Sequence, residues 1–270
     1  MFLQAQNVVK VFKHRGWFPG AASVRPVIAV NGISMMLEKG GSLGIIGESG
    51  SGKTTLARML LGLVLPTSGL IQIESGQNDP RQQAQWMRRN CRMIFQSLDA
   101  ALNPGMTVRQ IVEEPLRVHT SQSKRDRSAI VHRVLEEVHL PAAILDEYPY
   151  ALSGGEKRRI SIARILSLPP QLLIADEPVS SLDVSIRGRI LMMLDRIRRE
   201  LHTTLVVISH DLAVVEQICD RAAIMHKGSI VEECSAAALA RGALSHPYSR
   251  ALYSSSLRIV NDRRIDVMNS

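Results

Sequence analysis

Apolar residues fall along this chain in two rhythms. Residues 43–46 (LGII) form a short apolar run that meets a Gly-rich turn, and residues 53–64 beyond it are apolar at helical spacing through Leu56, Leu60 and Leu63. The pattern predicts a strand, a loop and a helix. Runs of strand length recur at 172–175, between Pro170 and Asp176, and at 205–208. The second follows an amphipathic helix marked by Ile186, Ile190, Met193, Leu194, Ile197 and Leu201. Buried strands alternating with helices point to an α/β fold around a parallel sheet.

Two regions depart from that alternation. The β-rich stretches 8–12 and 27–37 flank an irregular segment, 15–26, and predict an antiparallel lobe at the N-terminus. Between Gln96 and Pro149 the pattern is mostly helical. One face carries Val108, Ile111, Val112 and Leu116, another Ile130, Val131, Val134, Leu135 and Val138, with a polar run at 120–127 between them. This predicts a helical lobe inserted into the α/β core. No internal repeat, low-complexity segment or flexible linker is visible.

Composition agrees with a self-sufficient globular chain: of 270 residues 45% are hydrophobic and 21% charged. Aromatics are only 4%, which disfavours a platform for stacking single-stranded bases. Lys and Arg outnumber Asp and Glu by 33 to 25, so a polyanion is a partner to consider. The cations are scattered, however, as solvated faces are. The three cysteines, Cys91, Cys219 and Cys234, lack any Cys-x-x-Cys spacing and read as buried thiols. No apolar run reaches the roughly 18 residues that span a bilayer, and the opening residues do not resemble a signal peptide, so a cytoplasmic chain is expected.

The Gly-rich turn carries the first chemistry. Gly47-Glu48-Ser49-Gly50-Ser51-Gly52-Lys53-Thr54 fits Gly-x-x-x-x-Gly-Lys-[Ser/Thr] between a predicted strand and a predicted helix. Glycines let the backbone curl its N–H groups around an anion, and the helix N-terminus adds partial positive charge. Lys53 is expected to reach the β- and γ-phosphates, Thr54 to hold Mg²⁺ through its hydroxyl, and Thr55 to line the same nucleotide site. Strand 172–175 ends in Asp176, which fits a metal ligand, and Glu177, placed to take a proton from an attacking water. His210, after strand 205–208, emerges at the same sheet edge and suits either a γ-phosphate contact or a structural role. Gln96 suits a ligand to metal or water, or a plain surface amide.

Leu152-Ser153-Gly154-Gly155-Glu156 opens a second helix with another small-residue turn. One triphosphate needs only one cradle. The second is explicable if it faces nucleotide bound to another copy of the chain, giving two composite sites in a two-fold, head-to-tail dimer. Alternatively, Ser153 is a helix cap and nothing more.

In order and approximate spacing these segments resemble the ATPase subunit of an ATP-binding-cassette (ABC) transporter. The resemblance covers nearly the whole chain. It implies a P-loop ATPase core with an N-terminal antiparallel β lobe and an inserted helical subdomain. The cassette spans 1–256, the helical subdomain about 97–165, and a short tail follows at 257–270. It further implies that Phe12 stacks on adenine (core packing being the other reading), that Ser153, Gly154, Gly155 and Glu156 contact nucleotide across the dimer, and that Asp183 belongs to the loop joining the two sites. Gln96 would ligate Mg²⁺ with Thr54 and Asp176, and Lys53, Glu177 and His210 would be catalytic.

Two further stretches, Leu102-Asn103-Pro104-Gly105-Met106-Thr107-Val108 and His246-Pro247-Tyr248-Ser249-Arg250-Ala251-Leu252, are similar to the peptide and nickel importer group. That group pairs two different ATPase subunits with two transmembrane permease subunits and an extracytoplasmic solute-binding protein. The resemblance therefore implies a peripheral subunit on the cytoplasmic face of the inner membrane, with ATP and Mg²⁺ as cofactors and no nucleic acid as partner. Glu156 departs from the amide usual in the family, and Lys157, Arg158 and Arg159 are expected to offset its charge. The competing class is a soluble cassette ATPase acting on nucleic acid or ribosomes, favoured by net charge but lacking tandem cassettes or heptad arms. A simple nucleotide-binding regulator would leave Glu177 and the second turn without a task.

Overall fold

The computed structural model describes residues 2–12, 26–74, 79–95, 102–180 and 184–256. Strands β1 (Leu3–Phe12) and β2 (Val27–Leu37) are followed by β3 (Ser42–Ile46), helix α1 (Lys53–Leu60), β4 (Ser68–Ile73), α2 (Pro80–Asn90) and β5 (Cys91–Ile94). Helices α3 (Val108–His119), α4 (Lys124–Glu137) and α5 (Gly154–Ser167) lead into β6 (Leu172–Asp176), α6 (Val184–Leu201) and β7 (Thr204–Ser209). The chain continues through α7 (Leu212–Ile218), β8 (Arg221–His226), β9 (Ser229–Ser235) and α8 (Ala236–Ala240).

These strands form two sheets. The N-terminal one is antiparallel, in the order β2-β1-β4. The larger runs β5-β6-β7-β3-β8-β9, parallel except for β9, which returns antiparallel along β8. Every residue of β3, β6 and β7 is buried, as expected of parallel strands covered on both faces. Alternate side chains serve two cores. Leu173, Ala175, Leu205 and Val207 face the helices of one layer, and Leu172, Ile174, Val206 and Ile208 face α1 and the antiparallel sheet.

The inserted lobe follows the predicted faces. Val108, Ile111, Val112 and Leu116 of α3 and Val131, Val134 and Leu135 of α4 are buried, and both helices pack on α5. Its helices are set by their caps: Thr107 and Gln110 form a capping box at the start of α3, and Ser123 caps α4.

β4, α2, α7 and α8 have no counterpart in the sequence pattern, and three further features differ from it. α1 ends at Leu60, not at 64, because Gly62 adopts φ +67 while Gly62 N–H and Leu63 N–H close on the carbonyls of Met59 and Arg58, at 2.9 and 2.8 Å. Leu63 is consequently 60% exposed, not on the core face. The β8–β9 hairpin, turning through Lys227 and Gly228 at φ 45 and 87, has no counterpart in the predicted elements. Cys234 is half-buried, although Cys91 and Cys219 are buried as expected.

Candidate nucleotide site

Strands β3, β6 and β7 all end at one edge of the parallel sheet, and that edge gathers most of the candidate chemistry. The loop 47–52 leaves β3 there. A side chain at Gly47 would collide with the carbonyl oxygen of Met225, and one at Gly52, which sits at φ +103, with that of Ala29. Glycine at both places lets the loop lie against neighbouring backbone. Gly52 starts α1 without a side-chain cap, which leaves the amide end of the helix available to an anion.

Lys53 is buried at the head of α1. Its Nζ donates to the carbonyls of Gly47 and Glu48, each at 2.7 Å, and to Ser51 Oγ at 3.4 Å. Burial lowers its pKa, against the charges of Glu177, Asp176 and Glu48. The ammonium thus rests on the inside of its own loop. Glu48, Ser49 and Gly50 are exposed at the rim, and Thr55 is half-buried in α1.

Thr54 Oγ1 donates to Asp176 Oδ2 at 2.9 Å, so the helix start and the end of β6 meet. Asp176 is 3% exposed; burial raises its pKa, the Thr54 hydrogen bond opposing. Glu177 follows at φ +50, an unusual left-handed conformation for a non-glycine residue. Its N–H donates to the carbonyl of Ile208 at 2.9 Å, so it turns out of the strand while tied to the neighbouring one. Its Oε1 accepts the backbone N–H of His210 at 3.2 Å. It also lies 2.8 Å from His210 Nδ1, which donates when protonated there. Glu177 is only 9% exposed.

The residues fit a magnesium nucleotide. A glycine-rich loop leading to an uncapped helix N-terminus, a lysine inside it and a hydroxyl–carboxylate oxygen pair beside it are what phosphates and a hard cation require. Among the described residues there is no group of three or more His, Cys, Asp or Glu side chains that could hold a metal without such a ligand.

The second turn is organised differently. Ser153 caps α5: its Oγ accepts the Glu156 N–H at 3.3 Å, while Glu156 Oε2 accepts the Ser153 N–H and hydroxyl at 2.9 and 2.7 Å. Those donors lower the Glu156 pKa, and Arg159 assists. The acid at this position therefore completes a capping box within its own chain. Ser153 and Gly154 are exposed, and Gly155 is half-buried.

Arg158 corrects the expectation that it offsets Glu156. It is buried and turned the other way, donating to the carbonyl of Glu177 at 3.1 Å and to that of Pro178. It braces the turn that holds Glu177, a role that sequence reasoning missed. Lying in the basic run Lys157-Arg158-Arg159, it carries no local signal that one of the three points inward.

Phe12 is 38% exposed at the end of β1, with Lys10 Nζ 5.3 Å from its ring centroid, so it is not a core side chain. Gln96 and Asp183 lie outside the described residues.

The family model described as "ABC transporter" matches residues 30–180, which include the loop, the turn at 152–156, Asp176 and Glu177. The chain belongs to this family and is an ATP-hydrolysing cassette subunit of it. It is 41% identical to the oligopeptide transport ATP-binding protein AppF of Bacillus subtilis (strain 168), over 94% of this chain and 77% of that one. It is likewise 41% identical to the dipeptide transport ATP-binding protein DppF of Escherichia coli (strain K12), over 97% of this chain and 78% of that one. Among solved structures it resembles the dimeric MJ0796, a bacterial ABC transporter cassette, with TM-score 0.76 and 26% identity over 87% of this chain and 98% of that one. The post-hydrolysis dimer of MJ0796 bound to ADP and Pi matches with TM-score 0.75 and the same identity and coverage.

Proposed function

We propose that this chain binds MgATP between two cassettes packed head to tail, and that its hydrolysis drives peptide uptake through two permease subunits supplied by an extracytoplasmic solute-binding protein. The observation that carries the proposal is the convergence of Lys53, the Thr54–Asp176 pair and the Glu177–His210 pair on one sheet edge. In this reading the glycine-rich loop 47–54, through backbone amides not engaged elsewhere, and Lys53 bind the phosphates. Thr54 and Asp176 hold magnesium, with Gln96 as a further ligand, and the ion when bound offsets charge on the phosphate oxygens. Glu177 accepts the proton of the attacking water, and His210 holds the carboxylate in place. Phe12 stacks on the base, and Ser153 and Gly155 complete the site of the opposite subunit.

In this reading the cassette spans 1–256, with a helical subdomain at about 97–165 and a tail at 257–270. The relatives' names favour peptide as solute, and the second cassette in this reading is a related chain or a second copy of this one. No described helix is long and apolar enough to cross a membrane; in this reading the chain is a peripheral subunit on the cytoplasmic face. A groove of about 950 Å³ between the helical lobe and the α1–β4 region supports a membrane partner; exposed Leu63, Leu65, Leu70 and Val118 line it. No such apolar groove is needed to grip a polyanion, so nucleic acid is the less favoured partner.

Affinity capture of the tagged chain from solubilised membranes, with MgATP, tests the assembly. Two integral membrane subunits and a second cassette are expected. Ribosomal or DNA-bound proteins with no membrane subunit would overturn it.

A further inference from the structure

The His246-Pro247-Tyr248 segment has no task in hydrolysis as described above, yet it reaches the phosphate loop. Its anchor is Glu232 on β9. That carboxylate accepts the N–H and hydroxyl of Ser245 at 2.6 and 2.8 Å and the N–H of His246 at 3.1 Å. Burial alone would push the Glu232 pKa up, but the donors of the 245–249 segment outweigh it and hold the group at about 2. The clasp is therefore charged at neutral pH. His246 Nδ1 accepts the Tyr248 N–H at 3.2 Å, and a helix over 247–256 begins there.

This anchoring lays the Tyr248 ring against His226, at the end of β8, with ring centroids 3.9 Å apart. The Tyr248 hydroxyl accepts the backbone N–H of Glu48 at 3.4 Å. The carbonyl of the same Glu48 is one of the two gripped by Lys53 Nζ. At the far side of the loop, the Gly228 N–H from the β8–β9 turn donates to Ser51 O at 3.0 Å. The C-terminal part of the chain thus holds the phosphate loop at two points, one of them a side chain.

The Lys53 ammonium has three N–H donors, so turning one of them to phosphate shifts the pull it exerts on the Gly47 and Glu48 carbonyls. We infer that Tyr248 is a positioning residue for the nucleotide: its hydroxyl holds the Glu48 peptide while Lys53 moves, so that the loop keeps its phosphate-accepting shape. The inference rests on the nucleotide reading above. Tyr248 touches no phosphate in this account and acts only through the loop.

The test compares the full chain with Tyr248→Phe, which keeps the ring on His226 and removes only the hydroxyl. Affinity is read by displacement of a fluorescent ATP analogue, with MgATP and with tripolyphosphate as competitors, alongside the melting temperature of the free chain and kcat and KM for ATP. Loss of one hydrogen bond predicts that both competitors weaken by about 3- to 10-fold. KM should rise by a similar factor while kcat and melting temperature stay near the parent's. Unchanged affinity for both competitors would overturn the inference, as would weaker ATP with unchanged tripolyphosphate, which would place the effect at the base. A lowered melting temperature with unaltered affinity would make Tyr248 merely structural and overturn it too. A parent chain that binds neither competitor would overturn the nucleotide reading itself, and this inference with it.

Discussion

Replacing Glu177 with Gln separates the chemistry of this site from its architecture. The amide keeps an oxygen where Oε1 accepts the His210 N–H at 3.2 Å and faces Nδ1 at 2.8 Å, so the turn has no reason to move. What changes is charge. A hydrogen bond to an ionised group contributes about 1.5–3 kcal/mol and a neutral one about 0.5–1.5, so the fold loses on the order of 1 kcal/mol. The exposed His210 ring, 69% accessible, reduces that further because water can replace it. The melting temperature should fall by no more than about 2–4 °C. Loss of a general base, by contrast, costs about 10²- to 10⁴-fold in rate, equivalent to about 2.7–5.5 kcal/mol of barrier. Phosphate release from the cassette assembly at saturating MgATP, measured beside equilibrium ATP binding, checks both numbers. Turnover within twofold of the parent would refute the role of Glu177 as base. Parallel loss of binding would show that the carboxylate holds the site together rather than acting in it.

Other perturbations address the supporting structure. Arg158→Met removes the donors to the Glu177 and Pro178 carbonyls while filling similar volume; kcat should fall more than ATP affinity, and equal effects on both would refute a specific brace. The Glu232 clasp sets a pH window. Its folded pKa of about 2 lies below the ordinary carboxylate value of 4.5, so its stabilisation is complete above the ordinary value and is lost as pH falls towards 2. The melting-temperature gap between the parent and Glu232→Gln should be widest near neutrality and close on acidification; a gap that grows in acid would contradict the assignment. Burial pushes the Cys91 and Cys219 thiols up to about 12, so alkylation at pH 8 followed by peptide mass mapping should modify half-buried Cys234 first.

Local sequence was sufficient for parts whose physics is local. A run of apolar residues ending in a glycine-rich turn specifies β3, the loop and the start of α1, because strand burial, backbone freedom and helix initiation each act within a few residues. The same holds for β6 and β7, and so the apolar runs alone place Asp176, Glu177 and His210 at one sheet edge. The capping box at Ser153 and Glu156 is readable as a cap, since its donors and acceptors lie three residues apart. The antiparallel lobe is legible as two β-rich stretches, although its strand order with β4 is not.

Tertiary structure decided the rest. Whether Arg158 points to solvent or into the Glu177 turn depends on where the packed α5 sets its first turn relative to the turn that follows β6, a long-range placement. Leu63 fits the helical repeat, yet the left-handed Gly62 ends α1 before it, and it lies on the exposed groove instead. The contact of Tyr248 with Glu48 joins residues 200 positions apart and exists only because the β8–β9 hairpin and the Glu232 clasp bring the C-terminal helix back to the loop. Sequence by itself determined the chemical groups and the strand ends that present them, because those follow from short-range pattern. The supports that hold those groups in position come from long-range closure, whose partners are chosen by packing and have no signature where they stand in the chain.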